Sequence, residues 1–150
     1  MTTIRFTRGT GLACWIVRTA TWDWSSHVGF KLDDGTVLDA TPDFGVSIRN
    51  AVDDETTEYW KILAPKQHIA NAVTYAKGQV GKPYDWKAII GMGLRRDWHD
   101  DSKWFCSELV EGAFDFVHWP LVRDADLLDR ITPRDLRMST RIQKIEKSAH

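Results

Sequence analysis

Two short stretches decide how this chain reads: Ser26-His27-Val28-Gly29-Phe30 and Trp104-Phe105-Cys106-Ser107-Glu108-Leu109-Val110. In the first, a histidine opens a segment that reads as a β-strand. In the second, a cysteine stands at the start of a segment with helical apolar spacing. A thiol is a strong nucleophile only as the thiolate. A helix N-terminus and a neighbouring imidazole both stabilise that anion. The pairing points to a cysteine hydrolase or acyltransferase and leaves the substrate open.

Around the cysteine, Ser102 has the side chain of an N-cap, which places Cys106 within about the first turn. Phe105, Leu109, Ala113 and Phe116 recur at helical spacing and are expected to face the core. Cys106 falls one position from that stripe, where a partly exposed thiol can face a cleft. The unpaired N–H groups of a first turn can hold a developing oxyanion. Taken without the histidine motif, Cys106 reads as a small buried apolar residue, the common fate of a free cysteine.

His27 gains meaning from its neighbours along the chain. The strand beginning there runs into Asp33-Asp34-Gly35, a strong turn signal, and Thr36-Val37-Leu38-Asp39-Ala40 leaves it. The open ends of such a hairpin lie side by side, so Asp39 falls within reach of His27 across the ladder. A carboxylate beside an imidazole fixes its tautomer and orients it. The alternative for Asp39, set among Val37, Leu38 and Ala40, is a strand-end polar group bonding a loop amide.

The remaining chain is β-rich first and helical later. Thr3-Ile4-Arg5-Phe6 alternates as a short strand, ended by Arg8-Gly9-Thr10-Gly11. Leu12, Trp15, Ile16 and Ala20 are spaced as one face of a helix, with Cys14 beside them in a core role. Gly45 to Arg49 and Glu58 to Leu63 read as further strands. Pro65 opens a helix carrying Ile69, Val73, Ala76 and Val80, closed near Gly78 to Gly81. Pro120 ends the cysteine helix, and Thr132-Pro133-Arg134-Asp135-Leu136 forms a short capped one.

Composition sets bounds on function. The 150 residues are expected to form one domain, 1–150, with a real core. A net charge of -1 gives no reason to expect a nucleic-acid partner. No apolar run reaches the roughly 18–20 residues of a membrane span. No signal-peptide stretch follows Met1 either, so the chain is expected in the cytoplasm as synthesised, with export by a phage or secretion route the alternative. Two cysteines give neither a disulfide framework nor metal-ligand spacing, and no cofactor or metal is expected. Trp98-His99-Asp100-Asp101 matches no ligand set and reads as a solvated loop. His68 and His118 read as structural residues on helices. Arg130, Arg134, Arg137, Arg141, Lys144 and Lys147 read as a solvated face, with contact to an anionic wall polymer or membrane as the other possibility.

In this order, His motif, acidic strand and then Cys helix, the chain resembles the circularly permuted branch of the NlpC-like papain-fold cysteine peptidases and amidases. More narrowly, it resembles the YiiX/YebB-like proteins. Besides the opening strand and turn, the resemblance rests on Ser26-His27-Val28-Gly29, Val37-Leu38-Asp39-Ala40-Thr41-Pro42, Gly45-Val46 and Gly81-Lys82-Pro83-Tyr84-Asp85-Trp86. Phe105-Cys106-Ser107-Glu108-Leu109-Val110 and Ile131-Thr132-Pro133-Arg134-Asp135-Leu136 complete it. It covers nearly the whole chain and implies an α+β, permuted papain-like fold, with a small antiparallel β-sheet packed against the helix bearing the cysteine.

The resemblance makes Cys106 the nucleophile, His27 the general base and Asp39 the orienting acid, where close relatives often carry Glu. Tyr84 matches a tyrosine near the catalytic cysteine that helps bind the oxyanion; its other reading is a ring packing a loop under the helix. Trp22, Trp24, Trp98 and Trp104, among eight tryptophans, flank the motifs, with Trp24 and Trp104 read as substrate walls or as core. The implied activity is cleavage of amide bonds in peptidoglycan stem peptides, with peptide, acyl or cell-wall fragments as partners. The alternatives are a thioesterase or acyltransferase acting on lipid acyl groups, as in the related lecithin retinol acyltransferase group, and a catalytically silent binding module. Oligomeric state is left open.

Overall fold

The computed structural model describes residues 1–9, 11–87, 103–122 and 131–146. Trp98-His99-Asp100-Asp101, Ser102, Arg130 and Lys147 lie outside the described residues. Six strands form an α+β core: β1 (Thr3–Thr7), β2 (His27–Lys31), β3 (Val37–Thr41), β4 (Gly45–Arg49), β5 (Glu58–Ile62) and β6 (Ile142–Lys144). They make one antiparallel sheet in the order β4-β3-β2-β1-β5-β6. The helices are α1 (Leu12–Thr21), α2 (Lys66–Gly78), α3 (Cys106–Phe116) and α4 (Pro133–Arg137). None is long and apolar enough among the described residues to cross a membrane.

The period-2 pattern sorts the sheet into two different faces. Ile4, Phe6, Val28, Phe30, Leu38 and Ala40 are fully buried on one face. Phe30 meets Phe114 of α3 there, with ring centroids 6.0 Å apart. Burying each such side chain contributes roughly 1.5–3 kcal/mol, which fixes the helix on the sheet. The other face is polar. Its Arg5 is buried and donates to Asp53 and to the Val52 carbonyl, both at 3.0 Å.

Helix α3 departs from the expected start and stripe. It begins at Cys106 itself, with Phe105 as N-cap and Glu108 reaching back to the Phe105 N–H at 3.4 Å. Cys106 through Glu111, Ala113 and Phe114 are all buried, whereas Phe116 is exposed and stacks on Tyr75. A helix buried on nearly every side has no single core stripe, so the spacing placed Phe116 wrongly. Glu111, wholly buried, accepts the N–H groups of Leu121 and Val122, each at 3.1 Å. Burial pushes its carboxyl up to about 7 against the pull of those two hydrogen bonds.

Helix α1 also turns the other way. Its buried positions are Val17 and Thr21, while Leu12, Trp15 and Ala20 of the expected stripe are exposed. Helix α4 forms as read, capped by Thr132, whose Oγ accepts from the Asp135 N–H. His118 lies past the end of α3 in a left-handed conformation (φ 57) rather than on a helix. Strand β6 carries no expectation from the sequence; three residues are too few for a periodic signal.

Candidate active site

Strand β2 and helix α3 bring the two motifs together. His27 is the first residue of β2, and its Cα partner on β1 is Thr7. The Ser26 carbonyl lies 3.9 Å from the Cys106 Sγ. Ser26 is itself held by its N–H on the Thr7 carbonyl at 3.1 Å and by its hydroxyl on the Arg8 carbonyl. Cys106 occupies the first helical position, where its own N–H and that of Ser107 have no partner within the helix. The thiol is buried rather than partly exposed, because the flanking Phe105 and Ser107 are themselves fully buried. The imidazole is the more open side of the pair, with 14% of its side chain exposed.

Asp39 joins them as the hairpin reading required. With Phe30 opposite Leu38, Asp39 sits diagonally across the ladder from His27. Its Oδ2 lies 2.7 Å from His27 Nε2, which leaves Nδ1 as the ring nitrogen available to the sulfur. Asp39 is wholly buried. Burial pulls the imidazole toward the neutral form. The hydrogen bonds and negative charges of Asp39 and Cys106 outweigh it and push His27 up to about 10. The stabilisation carried by this proton is complete below the ordinary histidine value and disappears as pH rises through about 10.

A fourth member has no counterpart in the sequence reading. Arg49, at the end of β4, donates from Nη2 to the same Asp39 Oδ2 at 3.0 Å, and its guanidinium lies over the Phe44 ring. The other oxygen, Oδ1, is buried without a hydrogen-bond partner among the described residues. Arg49 thus gives the buried Asp39 side chain a cationic partner on the same oxygen that His27 uses. The only sequence signal was its alternation on the strand opposite Asp39, since Val37 pairs with Arg49.

Removing a nearby cation raises the proton affinity of the imidazole, and removing an anion lowers it. Arg49→Gln is therefore expected to move the His27 titration up and Asp39→Asn to move it down. Each loses about ten- to a hundredfold in turnover, the size of one charge-assisted hydrogen bond. Ring-nitrogen NMR across pH checks both signs. A downward shift in both variants would make Arg49 a purely structural support of Asp39.

Tyr84 reaches the site through a strap. Val46 donates to the Lys82 carbonyl at 2.9 Å and Gly81 donates to the Val46 carbonyl at 3.0 Å. Gly45 (φ 63) permits this approach, since a Cβ there would stand 2.5 Å from the Lys82 oxygen. Tyr84 then bridges to Trp104 beside the cysteine. Burial, followed by the Cys106, Cys14, Glu108 and Asp85 charges around it, holds the Tyr84 hydroxyl firmly protonated as a donor. The two tryptophans do not line the thiol together. The Trp104 ring packs on Gly112 and donates to Gln79 Oε1 at 3.2 Å. Trp24 lies under the Arg137 guanidinium, 4.7 Å away, at the wall of a cavity of about 620 Å³ shared with Arg8, Glu58, Tyr59 and Lys144.

The basic C-terminal positions are largely tied down. Arg137 pairs with Asp23 at 2.6 Å, Lys144 with Glu58 at 2.6 Å, and Arg141 donates to the Pro120 carbonyl at 2.7 Å. Among the described residues no group of three His, Cys, Asp or Glu is arranged to hold a metal ion.

No protein-family profile matches the chain, and no curated protein sequence matches it. Among solved structures, the fold is similar to that of the metalloprotein yiiX from Escherichia coli O157:H7. The TM-score is 0.74 at 15% identity, over 97% of this chain and 95% of that one. This chain therefore has an α+β, YiiX-like fold.

Proposed function

We propose that this chain is a cysteine hydrolase with a permuted papain-like active site, cleaving amide bonds through an acyl-enzyme, with peptidoglycan stem peptides as substrate. The observation that carries the reading is a helix-start thiol set against the Ser26 carbonyl, next to His27, with His27 bonded to a buried, arginine-held Asp39. The Cys106 thiolate attacks the carbonyl carbon. The unpaired first-turn amides are donors for the growing oxyanion, and the protonated Tyr84 hydroxyl is the side-chain donor assigned to join them. Imidazolium gives its proton to the leaving amine as the C–N bond breaks. Neutral His27 then takes a proton from water, which attacks the thioester, releases the acid and restores the thiolate.

The neighbouring fold belongs to a protein described as a metalloprotein. Here Asp39 occupies the far nitrogen of the imidazole instead of converging with Cys106 and His27 on one point. The described residues therefore do not fit a resident metal. One observation favours the lipid-acyl alternative: α1, which leads into the histidine, presents Leu12, Trp15 and Trp22 to solvent.

The test is alkylation of Cys106 by iodoacetamide across pH in wild type, His27→Ala and Cys14→Ser. Labelling of the wild type and Cys14→Ser is expected well below the ordinary thiol titration near roughly pH 8.5, and its loss in His27→Ala. Labelling that follows an ordinary thiol curve and ignores His27 would leave a binding module in place of an enzyme.

A further inference from the structure

Helix α1 has two sides that carry apolar residues, and only one is used by the fold. Val17 and Thr21 turn inward and are buried. On the other side Leu12, Trp15 and Thr19 come at spacings of three and four, which sets them in one stripe along the helix, and Trp22 follows as the residue that ends it. Three of the four are large and apolar, and the threonine between them adds a methyl group. The whole stripe is exposed, with Leu12 at 72%, Trp15 at 55% and Trp22 at 88%. Trp22 ends the helix in the left-handed region (φ 54), a costly conformation for a bulky side chain, and is the most exposed aromatic among the described residues.

We propose that this stripe is a docking surface for an anionic lipid bilayer, with α1 lying in the interface and delivering the cysteine cleft to it. The charges around the helix are mostly positive. Helix α1 has no acidic residue. Arg18 lies on it, its guanidinium bonded to the Arg8 and Gly9 carbonyls. Arg134, itself exposed, donates to the Thr21 carbonyl at the opposite end. Asp23, just past the end of the helix, is paired with Arg137. Tryptophan and leucine on a helix with arginine at its margins is the pattern of an interfacial helix.

Size argues against a protein partner. A stable interface needs about 800 Å² from each side, and two tryptophans at ~150–250 Å² each with one leucine and one threonine fall short of it. Continuity with the site gives the docking a purpose. Trp22 stands five residues before His27, and on the inner side of α1 the Cys14 thiol packs against Gly9, which also borders the Ser26 hydroxyl. An enzyme lying on α1 would meet acyl groups of membrane-borne substrates. That consequence rests on the acyl-transfer reading, whereas the docking itself does not.

The test is co-sedimentation and tryptophan fluorescence with phosphatidylglycerol vesicles, using phosphatidylcholine vesicles as the uncharged comparison. Wild type and Cys106→Ala are expected to bind the anionic vesicles equally, with a blue shift in emission and weakening in salt. Trp15→Ser/Trp22→Ser is expected to lose at least about tenfold in partitioning, since two rings no longer enter the interface. Val52→Ser, an equally exposed apolar residue elsewhere, is expected to bind as wild type. Circular dichroism establishes that each variant folds. Wild-type protein that ignores the vesicles, or a double variant that binds unchanged, would overturn the proposal. Vesicle-blind protein that sediments as a dimer, with the double variant a monomer, would overturn it in favour of a second copy of the chain. Vesicle binding by a Cys106→Ala protein whose wild type proves inactive would uphold docking while sinking the enzyme.

Discussion

Cys106→Ala is expected to abolish turnover, on the order of 10⁴-fold or more, while leaving the fold intact. The substitution removes one sulfur atom at a helix start, where alanine is a good helix former, and the surrounding core of Phe105, Leu109 and Tyr84 keeps its contacts. What it deletes is the anion beside His27. With that charge and its hydrogen bond gone, burial has only Asp39 opposing it, so the His27 titration must fall from about 10. Activity and NMR titration therefore change together, for one electrostatic reason. Residual hydrolysis at the wild-type rate would remove Cys106 from the chemistry. An unmoved His27 titration, with activity lost, would mean that the thiolate and the imidazolium never form a pair in the free protein.

The parts of this site that local chemistry determines were legible in the sequence. The Asp33-Asp34-Gly35 turn sets the register of β2 and β3, and register alone brings Asp39 diagonally to His27. The cysteine helix announced itself through Leu109, Ala113 and their neighbours. What could not be read depends on which side of an element meets another. Helix α1 carries apolar residues on both sides, so periodicity named a stripe without saying that solvent would see it. Arg49 looks like any strand-end arginine until β3 and β4 pair and set it on the oxygen that His27 uses. Trp104 shows the same limit. Its place beside Phe105 suggested a wall for the thiol, yet the absence of a side chain at Gly112 draws the ring along the helix instead.

Gly29 is the second position where a small change is expected to have a large effect. It lies in the middle of β2, on the same side of the sheet as Asp39, with Arg5 opposite it on β1. A Cβ at Gly29 would stand 2.7 Å from the Asp39 Cβ, 3.0 Å from the Leu38 carbonyl oxygen and 3.4 Å from a Val37 methyl. All three belong to β3, and two of them are backbone or the first atom of a side chain, so neither of those can swing aside. The strand must move, and it carries the carboxylate that holds His27. Gly29→Ala is thus expected to cost about 1–3 kcal/mol of stability through overpacking. It is also expected to lose roughly 10²- to 10⁴-fold in turnover as the imidazole loses its orienting partner, within the range that acid–base assistance supplies. Because the effect passes through Asp39, the His27 titration should fall as it does in Asp39→Asn. Gly35→Ala gives the contrast. Its glycine sits at a turn with φ 87 and nothing within 4 Å, so strain lowers stability there without touching the site. If Gly29→Ala lowered the melting temperature while leaving the His27 titration and the turnover at wild-type values, the close approach of β2 to β3 would serve packing alone. Asp39 would then hold its position without help from the glycine.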